Sequence, residues 1–229
     1  MKRLAIAGGV LVAILVALFA NARRLLNTRG AVARTTIDSP EEHTTTGPDG
    51  AVRSVQSADI TLPAESMVEL WSSHNLERLA RTYWRFLTRI SLGVIRVRYR
   101  DDGRDICVFG WPALSLLTFQ APEYEFEPDH GVVRWRIEKG LLVSRRGRGG
   151  DGYLEIEVER RDVNRLHVEV EVANFYPAIA SRLGRWLYEN TQSRIHVIVT
   201  HGFLRSLAKL DLAESRVSRY PADDAELVG

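Results

Sequence analysis

From Ile95 to Val172 the chain keeps returning to a period of two, and that alternation fixes the class of fold it can adopt. In VIRVRYR, Ile95, Val97 and Tyr99 alternate with Arg96, Arg98 and Arg100, and Asp101-Asp102-Gly103 then turns the chain into ICVF. LSLLTFQ, EYEFE, VVRWRIEKGLLV, YLEIEVE and RLHVEVEV follow as further strand-length runs. The inward sets are Val133, Trp135, Ile137; Leu154, Ile156, Val158; and Leu166, Val168, Val170, Val172. Arg134, Arg136, Glu155, Glu157, Glu159, Glu169 and Glu171 occupy the alternate positions, so opposite charges can pair across one wet face. Short turn-like connections leave no room for crossover helices, which makes the sheet an antiparallel meander.

The segments around this sheet are helical. Ser57 to Thr61 reads as a short first strand before Pro63, and Ala64 to Ser72 as a turn or two of helix. Asn75 is placed to cap NLERLARTYWRFLTRI, in which Leu76, Leu79, Tyr83, Phe86, Leu87 and Ile90 share one arc. Arg78, Arg81, Arg85 and Arg89 fall on the opposite arc. At the other end, Asn174 before Pro177 is a helix-start signal, and an apolar-rich stretch continues to about Leu212. The β-branched residues of RIHVIVT (194–200) also suit a strand, but helix throughout, with a break near Gly202, is the expectation.

The N-terminus is of another kind. Leu4 to Ala20 is an uncharged run of 17 residues, short for a bilayer span of about 20 and long for a signal-peptide core of about 7–15. Ala20-Asn21-Ala22 resembles a cleavage site, yet Arg23 and Arg24 follow at once, which translocation tolerates poorly. A retained transmembrane anchor over 1–22 is therefore preferred to a cleaved leader, and both stay open. Lys2 and Arg3 precede the run; Arg23, Arg24, Arg29 and Arg34 follow it. The positive-inside bias favours a cytoplasmic C-terminal domain by about one charge.

Residues 23–54 read as a tether. TTIDSPEEHTTTGPDGAVR (35–53) has almost no large apolar residue and is broken by Pro40, Gly47, Pro48 and Gly50. A coil of about 30 residues spans roughly 30 Å. Residues 55–212 form the folded body, and 213–229, with Pro221, Asp223, Asp224 and Glu226, a disordered tail. The body carries 22 basic and 21 acidic groups, whereas the first 34 residues carry six basic groups and no acid. That puts the positive charge beside the membrane and not on a nucleic-acid-binding face. The single cysteine, Cys107, excludes an intramolecular disulfide.

A first strand, two helices, a six-stranded meander and a long C-terminal helix is an order that resembles the START-like, helix-grip superfamily, also called SRPBCC. The resemblance covers about residues 57–212, with ADITLPAESMVELW similar to that fold's entry strand and first helix, followed by NLERL. It implies an α+β domain whose antiparallel meander sheet curves around the long C-terminal helix, enclosing an apolar cavity. Members bind lipids, sterols, polyketides or other hydrophobic molecules, and some are cyclases or aromatases. The superfamily has no universal catalytic motif, so no catalytic residue carries over. Tyr99, Phe126 and Trp135 are the candidate ligand contacts, with plain core as the competing reading.

Other motifs resolve into bland readings. SRRGRGGDG (144–152) lacks the Gly-Lys-Ser/Thr ending of a phosphate loop. It reads as a hairpin tip with Gly149, Gly150 and Gly152 at positive φ, from which Arg145, Arg146 and Arg148 can touch anionic headgroups. His196 and His201 lie about 140° apart on a helix and do not form a metal pair. Cys107 reads as a small core residue, no Ser-His-acid set is placed as a triad, and the Glu155, Glu157, Glu159 row is a solvated strand face. Neither a metal nor a cofactor is expected. The arginine stripe 78, 81, 85, 89 is the candidate contact for an anionic bilayer or an acidic partner. The expected function is a membrane-tethered, non-catalytic domain for an apolar or lipid-like ligand. A cyclase- or hydratase-like enzyme and an interaction protein with a filled core are the alternatives.

Overall fold

The computed structural model describes residues 20, 21, 23–25, 27, 30–37, 44–178 and 193–214, with the backbone alone for 193–198. The apolar run expected to span a membrane lies outside these residues except for Ala20. Among the described residues no helix is long and apolar enough to cross a membrane. The tail from Ser215 also lies outside them.

The alternating segments form one antiparallel sheet. Its strands are β1 (Arg34–Ile37), β2 (Thr44–Thr46), β3 (Val52–Thr61), β4 (Ile95–Arg100), β5 (Gly103–Val108), β6 (Ser115–Gln120), β7 (Glu123–Phe126), β8 (His130–Lys139), β9 (Tyr153–Asp162) and β10 (Arg165–Phe175). Their order is β1-β3-β10-β9-β8-β6-β5-β4, with β2 on β3 and β7 on β8. The first strand of the body therefore pairs with the last. β6 and β7 both run along β8, pairing Phe119 with Ile137 and Glu123 with Arg134. They are one rung of a six-rung meander, interrupted at Pro122, which cannot donate to the ladder.

Helices α1 (Ala64–Leu70), α2 (Ser73–Ile90) and α3 (Ser193–Ser206) accompany the sheet. α2 is capped by Ser72, whose hydroxyl accepts from the Asn75 backbone N–H, and not by Asn75 as the sequence suggested. Its expected arc is buried at Leu76, Leu79, Tyr83 and Phe86, but so are Glu77, Ala80, Thr82 and Trp84. α3 is helical through 194–200 and past Gly202.

Two expectations are corrected. Asn174 does not start a helix: the chain stays extended in β10 to Phe175, where Phe175 pairs with Val52, and Pro177 bridges Val143. Asn174 has φ 51° at a register shift, so strand pairing has overridden the local start signal. The tether expected over 23–54 supplies β1, β2 and the first residues of β3. These short threonine-rich pieces need no apolar face of their own, because they hydrogen-bond to β3 through the backbone.

The core lies between the sheet, α2 and α3; it is mostly aliphatic, with a cluster of aromatic rings inside it. Trp84 stands edge-on to Trp135 at 5.2 Å and tilted to Phe119 at 5.4 Å; Tyr83 stands edge-on to Phe203 of α3 at 5.2 Å. Trp135 is fully buried, as are Ile156, Val133 and Val170. Every inward residue read from the alternation is buried or half-buried.

β8 stops at Lys139 and does not run on to Val143. Gly140 has φ +148°, and a β-carbon there would sit 2.2 Å from the Leu116 carbonyl oxygen. The close crossing lets Leu141 and Leu142 donate to the carbonyls of Ser115 and Leu116. The 140–152 excursion is thus tied back to β6 and is no simple hairpin tip; within 144–152 only Gly149 takes positive φ.

Candidate ligand cavity

The sheet, α2 and α3 line a partly open cavity of about 200 Å³. It lies at the end of the sheet where β4, β6 and β9 begin and β5, β8 and β10 finish, lined by Ile95, Ile106, Leu117, Leu154 and Val172 from the sheet. Trp84 and Leu87 of α2 and Val199 of α3 close the other side. Thr44, Ser54 and Tyr83 carry the hydroxyls among the lining residues. Burial pushes the Tyr83 hydroxyl up to about 12, with the neighbouring Thr200 hydroxyl opposing. It is therefore a poor proton acceptor or donor near neutral pH. A second, smaller apolar cavity of about 70 Å³ lies at the opposite end, against Trp71, Leu76, Phe126 and Leu166.

The three residues expected to contact a ligand are scattered. Phe126 lines the small cavity and stacks on Trp71 at 5.5 Å. Trp135 is packed inside the aromatic core, and Tyr99 is exposed on the edge strand β4. The larger cavity is built instead from ordinary aliphatic and aromatic residues of strands and helices, which carry no signal distinguishing a cavity wall from a filled core.

A polar cluster lies beside the aromatic core. Arg104, inward-facing on β5 and buried, has its guanidinium carbon 4.9 Å from the Trp135 ring centre and 5.3 Å from those of Trp84 and Tyr99. Desolvation holds its pKa below the usual guanidinium value. Glu77, also buried, has Arg81 3.6 Å away. Neither Arg104 nor Glu77 lines the larger cavity.

The arginine stripe of α2 is engaged by the chain's own C-terminal segment. Arg78 Nε donates to the Ala213 carbonyl at 3.0 Å and Arg81 Nε to that of Glu214 at 2.9 Å. Arg85 donates to the Asp211 carbonyl and has the Asp211 carboxylate at 3.3 Å; Arg89 has it at 4.0 Å. Beneath them the Thr82 hydroxyl accepts from the buried Ala213 N–H at 2.8 Å and donates to the Arg78 carbonyl. Residues 211–214 therefore form a strap along α2, which explains the burial of Thr82 on the side the wheel assigned to solvent.

The remaining candidates are structural. Cys107 is fully buried, and burial pushes its thiol up. His201 Nε2 is 2.7 Å from Gln56 Oε1. Among the described residues no group of three or more His, Cys, Asp or Glu could hold a metal ion. Arg146 pairs with Asp49 at 3.4 Å and stacks over Tyr176. On the outer face Glu155 pairs with Arg134 and Glu171 with Arg53. There Glu157 lies directly across from Glu169, and Glu155 from Glu171. Burial first and the neighbouring carboxylates next hold Glu169 above the ordinary carboxylate range.

No protein-family model matches the chain, and no curated protein does. Among solved structures it is similar to an uncharacterized protein of Bacillus thuringiensis, at 17% identity over 69% of this chain and 99% of that one, with a TM-score of 0.36. It is similar to XoxI of Bacillus cereus at 17% identity over 69% and 96%, TM-score 0.38. Human STARD10 matches at 8% identity over 80% and 76%, TM-score 0.37. At TM-scores below 0.5 these likenesses carry no weight for function and assign the chain to no family.

Proposed function

We propose that the domain is a START-like, non-catalytic carrier of an apolar, lipid-like ligand, held at a membrane by its N-terminal apolar run. The observation that supports the reading is the 200 Å³ cavity with its almost wholly aliphatic and aromatic wall. An apolar void of about 150 Å³ already stays dry and takes up benzene, so this one suits a small ring or a stretch of acyl chain. Drug-sized ligands usually fill about 300–1,000 Å³, so a whole lipid would leave its headgroup outside. The cyclase- or hydratase-like alternative needs polar groups converging on the ligand. The buried charges Arg104 and Glu77 lie outside the wall, which favours binding without chemistry.

Native mass spectrometry of the full-length chain, purified gently from its own membranes, tests the reading. An intact chain that releases a lipid-like molecule on activation supports it. An intact chain that carries nothing, even after incubation with fatty acids, overturns it in favour of the filled-core interaction protein.

A further inference from the structure

The cavity end of the sheet also carries the chain's exposed apolar tip. Leu92, Val94, Phe109, Trp111 and Leu141 are between 41% and 63% exposed. All five lie in the connections entering β4, joining β5 to β6 and leaving β8. The first two connections are held together, with the Phe109 N–H donating to the Val94 carbonyl at 2.7 Å.

Both connections use the same unusual turn. Val94 N–H donates to the Ser91 carbonyl across Leu92 (φ 53°) and Gly93 (φ 78°). Trp111 N–H donates to the Val108 carbonyl across Phe109 (φ 50°) and Gly110 (φ 76°). Two central residues at positive φ closed by such a bond belong to Asn-Gly or Asp-Gly, because a bulky side chain is strained there. Leu and Phe take that position twice, side by side, and point into solvent. Neither the turn nor the core gains from this choice.

The connections that form the tip carry no acid of their own, although Asp49 pairs with Arg146 on the neighbouring excursion. Residues 91–94, 109–114 and 140–150 contain no Asp or Glu. Arg96 donates from Nε to the Gly93 carbonyl at 3.1 Å, and its stem passes within 4 Å of the space above Gly110, so its exposed guanidinium sits between the two turns. Arg145 and Arg148 are exposed on the neighbouring excursion. Asn21, which follows the apolar run 4–20, donates from Nδ2 to the Arg89 carbonyl at 2.7 Å. Arg89 is in the last turn of α2, two residues before the first tip turn.

We infer that this end is a bilayer-docking tip: Leu92, Phe109 and Trp111 enter the interface of an anionic membrane while Arg96, Arg145 and Arg148 meet its headgroups. Exposed aromatic and aliphatic side chains ringed by arginine match the two layers of such an interface. The surface stands on its own geometry; only its purpose, to pass an apolar ligand between bilayer and cavity, rests on the function proposed above.

The test uses the full chain in vesicles of phosphatidylcholine and phosphatidylglycerol. An environment-sensitive fluorophore is placed at Trp111→Cys or, as the control, at Val163→Cys, which is 62% exposed in the turn joining β9 to β10 at the opposite end. Cys107 is buried and stays. Bromine-bearing acyl chains should quench the label at 111 and not at 163. Adding Leu92→Asn with Phe109→Asn should cut that quenching several-fold while the unfolding temperature holds or rises, since Asn suits both turns. Quenching at 111 no stronger than at 163 overturns the proposal. So does a label at 111 that is shielded from aqueous iodide but untouched by the bromolipid, which would assign the tip to a protein contact. A chain that releases a lipid yet shows no quenching refutes the docking alone; quenching without bound lipid refutes the cavity reading alone.

Discussion

The guanidinium of Arg104 is stacked against the ring of Trp135 at 4.9 Å and is buried beside the aromatic core. With Trp84 and Tyr99 each 5.3 Å away, three rings surround one cation. A desolvated cation over an aromatic face is held by about 2 kcal/mol, and the planar guanidinium also fills the space between the rings. Arg104→Lys keeps the charge but loses the plane, and should lower stability by about 1–2 kcal/mol. Arg104→Ala opens a void among the rings and should cost about 3 kcal/mol. Urea unfolding checks the order Arg, Lys, Ala; equal midpoints for all three would show that the cage contributes nothing.

How much of this was legible depends on where each residue's partners lie. The inward faces of β8, β9 and β10 follow from alternation alone, because Val133, Ile156 and Val170 obey a strictly local period. The Leu76-Leu79-Tyr83-Phe86 arc follows equally well. Thr82 did not, because a second layer, the strap 211–214, covers it from more than 120 residues away; nor did Trp84, which turns onto Trp135 and Phe119 of the sheet. The same strap turns an arginine stripe that reads as a wet face into donors for backbone carbonyls. The helix start at Asn174 failed for a related reason: a good local cap lost to the pairing of Phe175 with Val52. The cavity itself left no mark, since Leu154 and Val172 lining a void are written as they would be in a filled core. The tip turns were equally hidden, because Leu-Gly and Phe-Gly are not turn signals.

The strap's anchoring at Thr82 is open to a direct test. Ala213 N–H is buried and its acceptor is the Thr82 hydroxyl. Thr82→Val keeps the shape and removes the acceptor, leaving a buried donor unpaired at a cost of about 2 kcal/mol. Thr82→Ser keeps the hydroxyl and should recover most of that loss. Limited proteolysis should show cleavage after residue 210 accelerated in the valine variant and near normal in the serine one.

Glu169 gives the outer face a pH dependence of known sign. Its carboxyl titrates above the ordinary range in the folded chain, through burial and then the Glu157 and Glu171 charges. Between the unfolded and folded values the native state binds the extra proton, so stability falls as pH rises through that window and stays lowered above it. Glu169→Gln removes the cross-strand like-charge pair with Glu157 and should add roughly 0.5 kcal/mol at neutral pH. Thermal unfolding from acid to neutral pH should show a shallower decline for the variant. An unchanged slope would assign the decline to Glu155, which burial also raises.

Filling the cavity separates ligand binding from folding. Val172 is half-buried, faces inward on β10 and lines the 200 Å³ space. Val172→Phe sends a ring into that space without removing any hydrogen bond. In a void, added carbons gain contacts; in a filled core the same ring would force its neighbours apart at about 1–3 kcal/mol. The variant should therefore keep or raise its unfolding temperature while the lipid-like mass released in native mass spectrometry disappears. A drop of several degrees would mean that the space closes in solution, and the carrier reading would fall with it. An unchanged ligand load in a stable variant would move the binding site to the smaller cavity beside Phe126, where Gly131 and Leu76 make the wall.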